Sequence, residues 1–187
     1  PKKRAGTDTA GKSQVVSPLL EYSLPTKVAD GVVAFTACAL NETGDAATVA
    51  DQLNRVHVLS LKNDGQYHTL AGANGLIVSV YFDGGRDAVY ACEMDGTVLR
   101  WALDDPAHPK KVGKVDERVY VLNTARNGQQ VLCGTERGRV LAIDVESGTT
   151  TTLIEGGQPI SALGLSTSEN KLIVGYWGGK LSTVQLG

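Results

Sequence analysis

The chain has 187 residues and a net charge of −2, with 22 glycines and 5% aromatic residues. That length suffices for one ordinary domain with a buried core, and the charge balance excludes a global attraction to nucleic acid or to an anionic membrane. No run approaches the roughly 18 apolar residues of a membrane span, and frequent glycine with few aromatics favours many tight turns over long helices.

In chain order, residues 1–14 come first. "PKKRAGTDTAGKSQ" is polar and aperiodic, which reads as a disordered tail. Lys2, Lys3 and Arg4 resemble half of a nuclear-import signal, set against a merely solubilising tail. No apolar signal segment opens the chain, so the expected location is intracellular, nucleus or cytoplasm, with no membrane contact. "SPLLEYSLP" (Ser17–Pro25) follows as an extra outer strand.

From about residue 31 the chain repeats itself. "QLNRVHVLS", "MDGTVLRW", "ERGRVLAID" and "WGGKLSTVQ" are each a turn followed by an alternating strand. Leu59, Trp101, Ile143 and Val184 recur at spacings of 42, 42 and 41, and so do Leu61, Leu103, Val145 and Leu186. On the preceding strand Ala50, Cys92, Cys133 and Val174 align as one small core position. The three cysteines, Cys38, Cys92 and Cys133, are odd in number without a close pair. That argues against a disulfide framework or a zinc site and reads as three small buried hydrophobes.

A period near 42 with short strands between glycine-rich turns is the signature of a propeller or a similar array. The third repeat shows four strands: "VYVLNTA", "QQVLCGTE", "RVLAIDVE" and "TTTTLIE", separated by turns at Asn127-Gly128, Arg137-Gly138 and Ser147-Gly148. The second begins at Leu76 with Asp83-Gly84-Gly85 as its first turn, and Asp95-Gly96 is expected to form a primed turn matching strand twist. Leu99, Trp101 and Leu103 should face a neighbouring repeat. The fold class is therefore all-β: a propeller of four repeats, at about 31–72, 75–115, 118–156 and 159–187, with residues 15–187 forming the blades.

The period, the Asp95-Gly96 turn, Trp101 at a tryptophan position and Ile143-Asp144 at a Trp-Asp position resemble the WD-repeat β-propellers over residues 16–187. The departures are the missing Gly-His pair and Leu59-Ser60 and Val184-Gln185 in place of Trp-Asp. The family's buried hydrogen-bond network is then mostly absent, and blade packing is expected to rest on apolar contacts. Rings of this family usually need about seven blades, or about 290 residues at this repeat length. Four repeats therefore read as a partial or split propeller, completed by a longer chain, another chain or a homo-oligomer, or else as a ring closing at four. "EYSLPTKVADGVVAF" and "KLIVGYWGGKL" also resemble the checkpoint and mRNA-export branch, in which a tryptophan at this hairpin position grips a peptide. The alternative this implies is a nuclear propeller of that type, binding a peptide motif with nucleic acid as a second ligand.

No catalytic constellation emerges and nothing calls for a cofactor or metal. His57, His68 and His108 lack metal-ligand spacing, and His57 matches Leu99, as expected of a packed histidine. Gly178–Lys180 lacks the rest of a phosphate loop and reads as a hairpin turn, while Asp104 and Asp105 before Pro106 read as a solvated turn. Binding is the expected function, of a protein or peptide partner. Loops between second and third strands share one face, which carries Leu53, Asn54, Met94, Asp95, Glu136, Arg137, Tyr176 and Trp177. Tyr176 and Trp177 suit an interface hot spot, against sideways packing of Trp177 on a neighbouring blade. Arg137, Arg139 and Lys180 add positive charge that suits an acidic peptide. Lys110, Lys111 and Lys114 form a small basic patch that would suit phosphate. Without interleaved aromatics it reads better as a charged strand edge, and nucleic acid is not the expected partner.

Overall fold

A computed structural model of the chain describes residues 27–28, 31–62, 66–125, 128–166 and 170–186. Two units separate, Pro1–Val32 and Val33–Gly187. In the first, strands β1 (Lys27–Val28) and β2 (Gly31–Val32) form an antiparallel pair. The basic tail of residues 1–14 and the outer strand expected at Ser17–Pro25 lie outside the described residues.

The second unit is a series of antiparallel meanders in which consecutive strands pair. The first sheet holds β3 (Phe35–Leu40), β4 (Ala46–Asp51), β5 (Val56–Ser60) and β6 (Tyr67–Leu70). The second holds β7 (Ile77–Asp83), β8 (Ala88–Glu93), β9 (Thr97–Ala102) and β10 (Lys110–Lys114), with a 3₁₀ turn at Gly84–Arg86. The third holds β11 (Val119–Ala125), β12 (Gln130–Thr135), β13 (Val140–Asp144) and β14 (Thr150–Ile154). The fourth has three described strands, β15 (Ile160–Ser166), β16 (Lys171–Tyr176) and β17 (Leu181–Gln185). These are the four repeats expected from the period, and their stacking is that of propeller blades.

Three apolar cores lie between the sheets. Val56, Val58, Phe82, Val89, Leu99 and Trp101 join the first sheet to the second. Tyr90, Val98, Val131, Leu141 and Ile143 join the second to the third, and Leu132, Val140, Leu172 and Val174 join the third to the fourth. Both faces of β8 and β13 in the middle sheets are buried, so these strands are apolar almost throughout, whereas the outermost strands β10 and β14 are polar and largely exposed. The first strands pack in order, β3 on β7, β7 on β11 and β11 on β15, and no comparable packing joins β15 to β3 among the described residues. Among the described residues the four sheets therefore form an open array rather than a closed ring.

Strand register corrects two expectations. Cys92 pairs with Val98, whereas Cys133 pairs with Leu141 and Gly134 with Val140. The position equivalent to Cys92 is therefore Gly134, not Cys133. The two cysteines sit on opposite faces of their own sheets and meet in one core. Gly134 is tightly enclosed, since a Cβ there would lie 2.6 Å from Cγ2 of Ile160 on the next sheet.

The second correction concerns the hairpins. Asp95 does not adopt positive φ, as a primed type I′ turn would require. Instead the fourth residue of each turn is left-handed: Asn54 (φ 63°), Gly96 (85°), Gly138 (79°) and Gly179 (78°). Its amide donates back to the carbonyl of Asp51, Glu93, Thr135 or Tyr176. A type I turn followed by a left-handed residue is a standard three-residue hairpin, and glycine fits it because it has no Cβ to strain.

Candidate functional site

The four hairpins between second and third strands lie at one end of the sheets. The residue after each second strand donates its amide to the carbonyl before the first strand of the same sheet: Gln52 to Ala34, Met94 to Leu76, Glu136 to Arg118, and Trp177 to Pro159. This bond, repeated four times, sets every hairpin beside the incoming loop. The sequence-expected binding residues thus share one face.

On that face Trp177 is 59% exposed, yet it is not free. Its ring stacks on Tyr120 of the third sheet, with centroids 5.0 Å apart and planes 19° apart. Trp177 thus packs sideways on the neighbouring blade while much of its surface stays exposed. Tyr120, missed in the sequence, follows the first buried residue of β11 and carried no signal there. Tyr176 is half-buried, its hydroxyl 3.1 Å from Ser182 Oγ, with Lys180 Nζ 5.3 Å from the ring centroid. It braces the hairpin, while Trp177 forms its tip. Leu53 and Met94 are exposed on the neighbouring hairpins.

The charges of this face are mostly engaged. Asp95 Oδ2 accepts from Lys114 Nζ at 2.7 Å, and that hydrogen bond holds its carboxyl well down, at about 2. Arg139 pairs with Glu117, and with Asp116 at 3.1 Å. Glu136 accepts from the Arg118 amide, and Asn54 reaches the Asn74 carbonyl at 3.5 Å. Arg137 keeps an exposed side chain while its backbone amide donates to Glu117. Of the cations expected to attract an acidic peptide, Arg137 therefore remains the most available, and Arg139 is neutralised locally. In the basic patch on β10, Lys110 and Lys111 are exposed, Lys114 is tied to Asp95, and Lys110 Nζ also reaches the Val145 carbonyl.

Blade packing is apolar, as expected, but the first sheet does carry a buried hydrogen-bond network within itself. Asp51 is fully buried and accepts from the amides of Leu53 and Arg55, from Arg55 Nε at 2.7 Å, and lies 3.2 Å from His57 Nε2. His57 Nδ1 lies 2.9 Å from Thr69 Oγ1. Burial opposes the Asp51 charge, but these donors together hold its pKa below the ordinary carboxylate value. The network ties β4, β5 and β6 together, and His57 is packed, as its alignment with Leu99 implied. In the second sheet Glu93 Oε1 accepts from the amides of Asn74 and Gly75, and Trp101 Nε1 donates to the Ala71 carbonyl at 2.6 Å.

Cys92 and Cys133 are buried, and burial pushes the Cys92 thiol up to about 12 and Cys133 well above its usual value. Neither is a nucleophile at neutral pH. Cys38 is exposed, contrary to the sequence reading. It pairs with Val49 on the outer face of the first sheet, where no described blade follows.

The two outer faces of the array form a second candidate surface. Leu40 (61% exposed) and Tyr67 stand beside Cys38 on the first sheet. On the fourth sheet Ile173 (47%) and Leu181 (73%) occupy the places of Leu132 and Val140, which are fully buried in the third. Among the described residues, neither outer face is covered by a further sheet.

No protein-family model matches the chain, and no curated protein matches it either. Solved structures do. The crystal structure of the computationally designed Ika4 protein superposes with a TM-score of 0.66 at 15% identity, covering 89% of this chain and 100% of that one. The crystal structure of the Myceliophteria thermophila Cps50 (Swd1) β-propeller domain superposes with a TM-score of 0.65 at 16% identity, covering 82% of this chain and 52% of that one, so this chain spans about half of that propeller. At such identities the likeness concerns the fold: the chain is built of β-propeller blades.

Proposed function

We propose that the chain is a protein-interaction scaffold, a set of propeller blades that works as a subunit of a larger assembly. The observation that carries this reading is the pair of outer faces. Ile173 and Leu181 present to solvent the positions that Leu132 and Val140 bury against the next blade. Apolar surface of this kind on the face of a sheet calls for a covering sheet. Among the described residues there is no cluster of three or more metal-ligating side chains, and no helix is long and apolar enough to cross a membrane.

Light scattering after size exclusion tests the reading, with the chain compared to Ile173→Lys/Leu181→Lys. The intact chain should run as a species heavier than its 19.7 kDa, or be held in a complex with another chain, and the double variant should run as a monomer. A wild-type chain that stays monodisperse and monomeric at every concentration, indistinguishable from the variant, would sink it.

The Tyr120–Trp177 stack favours a second, compatible reading: the hairpin face grips a peptide, as the resemblance to the checkpoint and mRNA-export branch implies. Tyr176, Glu136, Arg137, Met94, Asp95 and Asn54 border that grip. Trp177→Ala should then lose a captured peptide partner while leaving the mass of the assembly unchanged.

A further inference from the structure

The opposite end of the sheets, where first strands turn into second strands, holds a cavity of about 730 Å³. All four sheets contribute to it: Glu42 after β3, Tyr81 and Asp83 on β7, Asn123 and Thr124 on β11, and Leu165 on β15. Asp83 is only 6% exposed, and its Oδ2 has no hydrogen-bond partner among the described residues. Burial raises its pKa, the Arg86 charge opposes that rise, and Glu42 adds to it. Arg86 also lines the cavity, but it is exposed and makes no ion pair with Asp83 among the described residues.

A buried carboxylate oxygen without a donor is costly, and structures rarely leave one so unless something supplies the donor. The cavity has two carboxylates against one solvent-screened cation, so a donor that also carries positive charge gains most there. A metal ion is a poor occupant, because no group of three ligating side chains converges among the described residues. The volume exceeds a single side chain and leaves room for the flanking backbone of an extended peptide.

We propose that this cavity receives a lysine or arginine side chain of a protein partner, with Asp83 Oδ2 as the buried acceptor and Glu42 at the rim. The inference rests on the reading of the chain as a protein-binding scaffold. It uses the end of the sheets away from Trp177, so the two surfaces fail separately.

The test is an NMR titration of the isotopically labelled full chain with the capped peptide Gly-Lys-Gly, its arginine counterpart, and a norleucine counterpart as the neutral control. The basic peptides should shift the amides of Gly85, Thr124 and Gly128 saturably, and the norleucine peptide should not. Asp83→Asn should weaken binding about tenfold or more. Glu42→Gln, at an exposed position, should weaken it about threefold and decides the matter if Asp83→Asn does not fold. Trp177→Ala should leave these shifts intact. Equal shifts from the norleucine peptide, no saturable shift at the cavity, unchanged affinity in Glu42→Gln, or shifts confined to the Tyr176–Trp177 hairpin would each overturn the assignment. The last outcome would leave the hairpin reading standing.

Discussion

Residue-scale chemistry fixes the hairpins first. Gly96 and Gly179 hold the same left-handed conformation, but their surroundings differ. A Cβ on Gly96 would collide with the Val115 carbonyl oxygen, whereas a Cβ on Gly179 would meet nothing within 4 Å. Gly179→Ala should therefore cost only the backbone strain, about 1 kcal/mol, and Gly96→Ala about 3 kcal/mol, read from urea unfolding midpoints. Equal costs would refute the stated difference. The thiols separate as sharply. Native protein should titrate one reactive thiol with Ellman's reagent, Cys38, and denatured protein all three. A second fast-reacting thiol would contradict the burial of Cys92 and Cys133.

Asp51 gives the chain a pH dependence with a definite sign. Its pKa is lowered in the fold, so its stabilisation is present above the unfolded value of about 4 and is lost as pH falls through the folded value. Asp51→Asn keeps an acceptor for the Leu53 and Arg55 amides but loses the charge facing Arg55 and His57. It should cost about 1 to 3 kcal/mol at neutral pH and shrink the loss of stability between pH 5 and pH 2, both about those values. Parallel acid unfolding of variant and wild type would contradict this.

At the scale of the element, one strand position means different things in different sheets. Leu132 and Ile173 are equivalent, in the middle of a second strand, and Leu132 faces the fourth sheet whereas Ile173 lies on the fourth sheet's exposed outer face. Leu132→Lys puts a charge into the core between the third and fourth sheets and should abolish cooperative folding. Ile173→Lys should change stability by less than about 0.5 kcal/mol while reducing self-association. Circular dichroism melts separate the two, and comparable destabilisation would show that the outer face is covered within the chain. The same symmetry explains what was legible here. The 42-residue period, the strands and the glycine turns follow from one local hydrogen-bonding solution used four times. The one-residue error at Cys133 arose because strands buried on both faces carry no polar alternation to mark which side is which. Counting from the left-handed turn residue gives 42 from Gly96 to Gly138, whereas counting from cysteine to cysteine gives 41.

For the whole molecule, stability depends on what covers the ends. If a blade from another chain docks there, it binds the folded form only, and the melting temperature should rise with protein concentration in wild type but not in Ile173→Lys/Leu181→Lys. A melting temperature independent of concentration in both would argue that the open array is self-sufficient. The candidate surfaces were unequally legible. Trp177 was readable because a turn-borne aromatic has a sequence address. Its partner Tyr120, the outer-face role of Cys38 and the cavity around Asp83 were not, since each joins residues from different repeats or depends on which sheet lies last.

The sequence by itself determined the all-β class, the repeat, its strands and the hairpin face, because turn chemistry and side-chain alternation act over a few residues. Only the tertiary structure decided that the array is open among the described residues, that a buried Asp51–His57 network braces the first sheet, and that Asp83 Oδ2 has no hydrogen-bond partner among the described residues in a cavity shared by four sheets. The open array and the shared cavity depend on which faces meet across about 40 residues of chain, whereas the Asp51–His57 network depends on how neighbouring strands of one sheet come into register; alternation and turn residues encode neither.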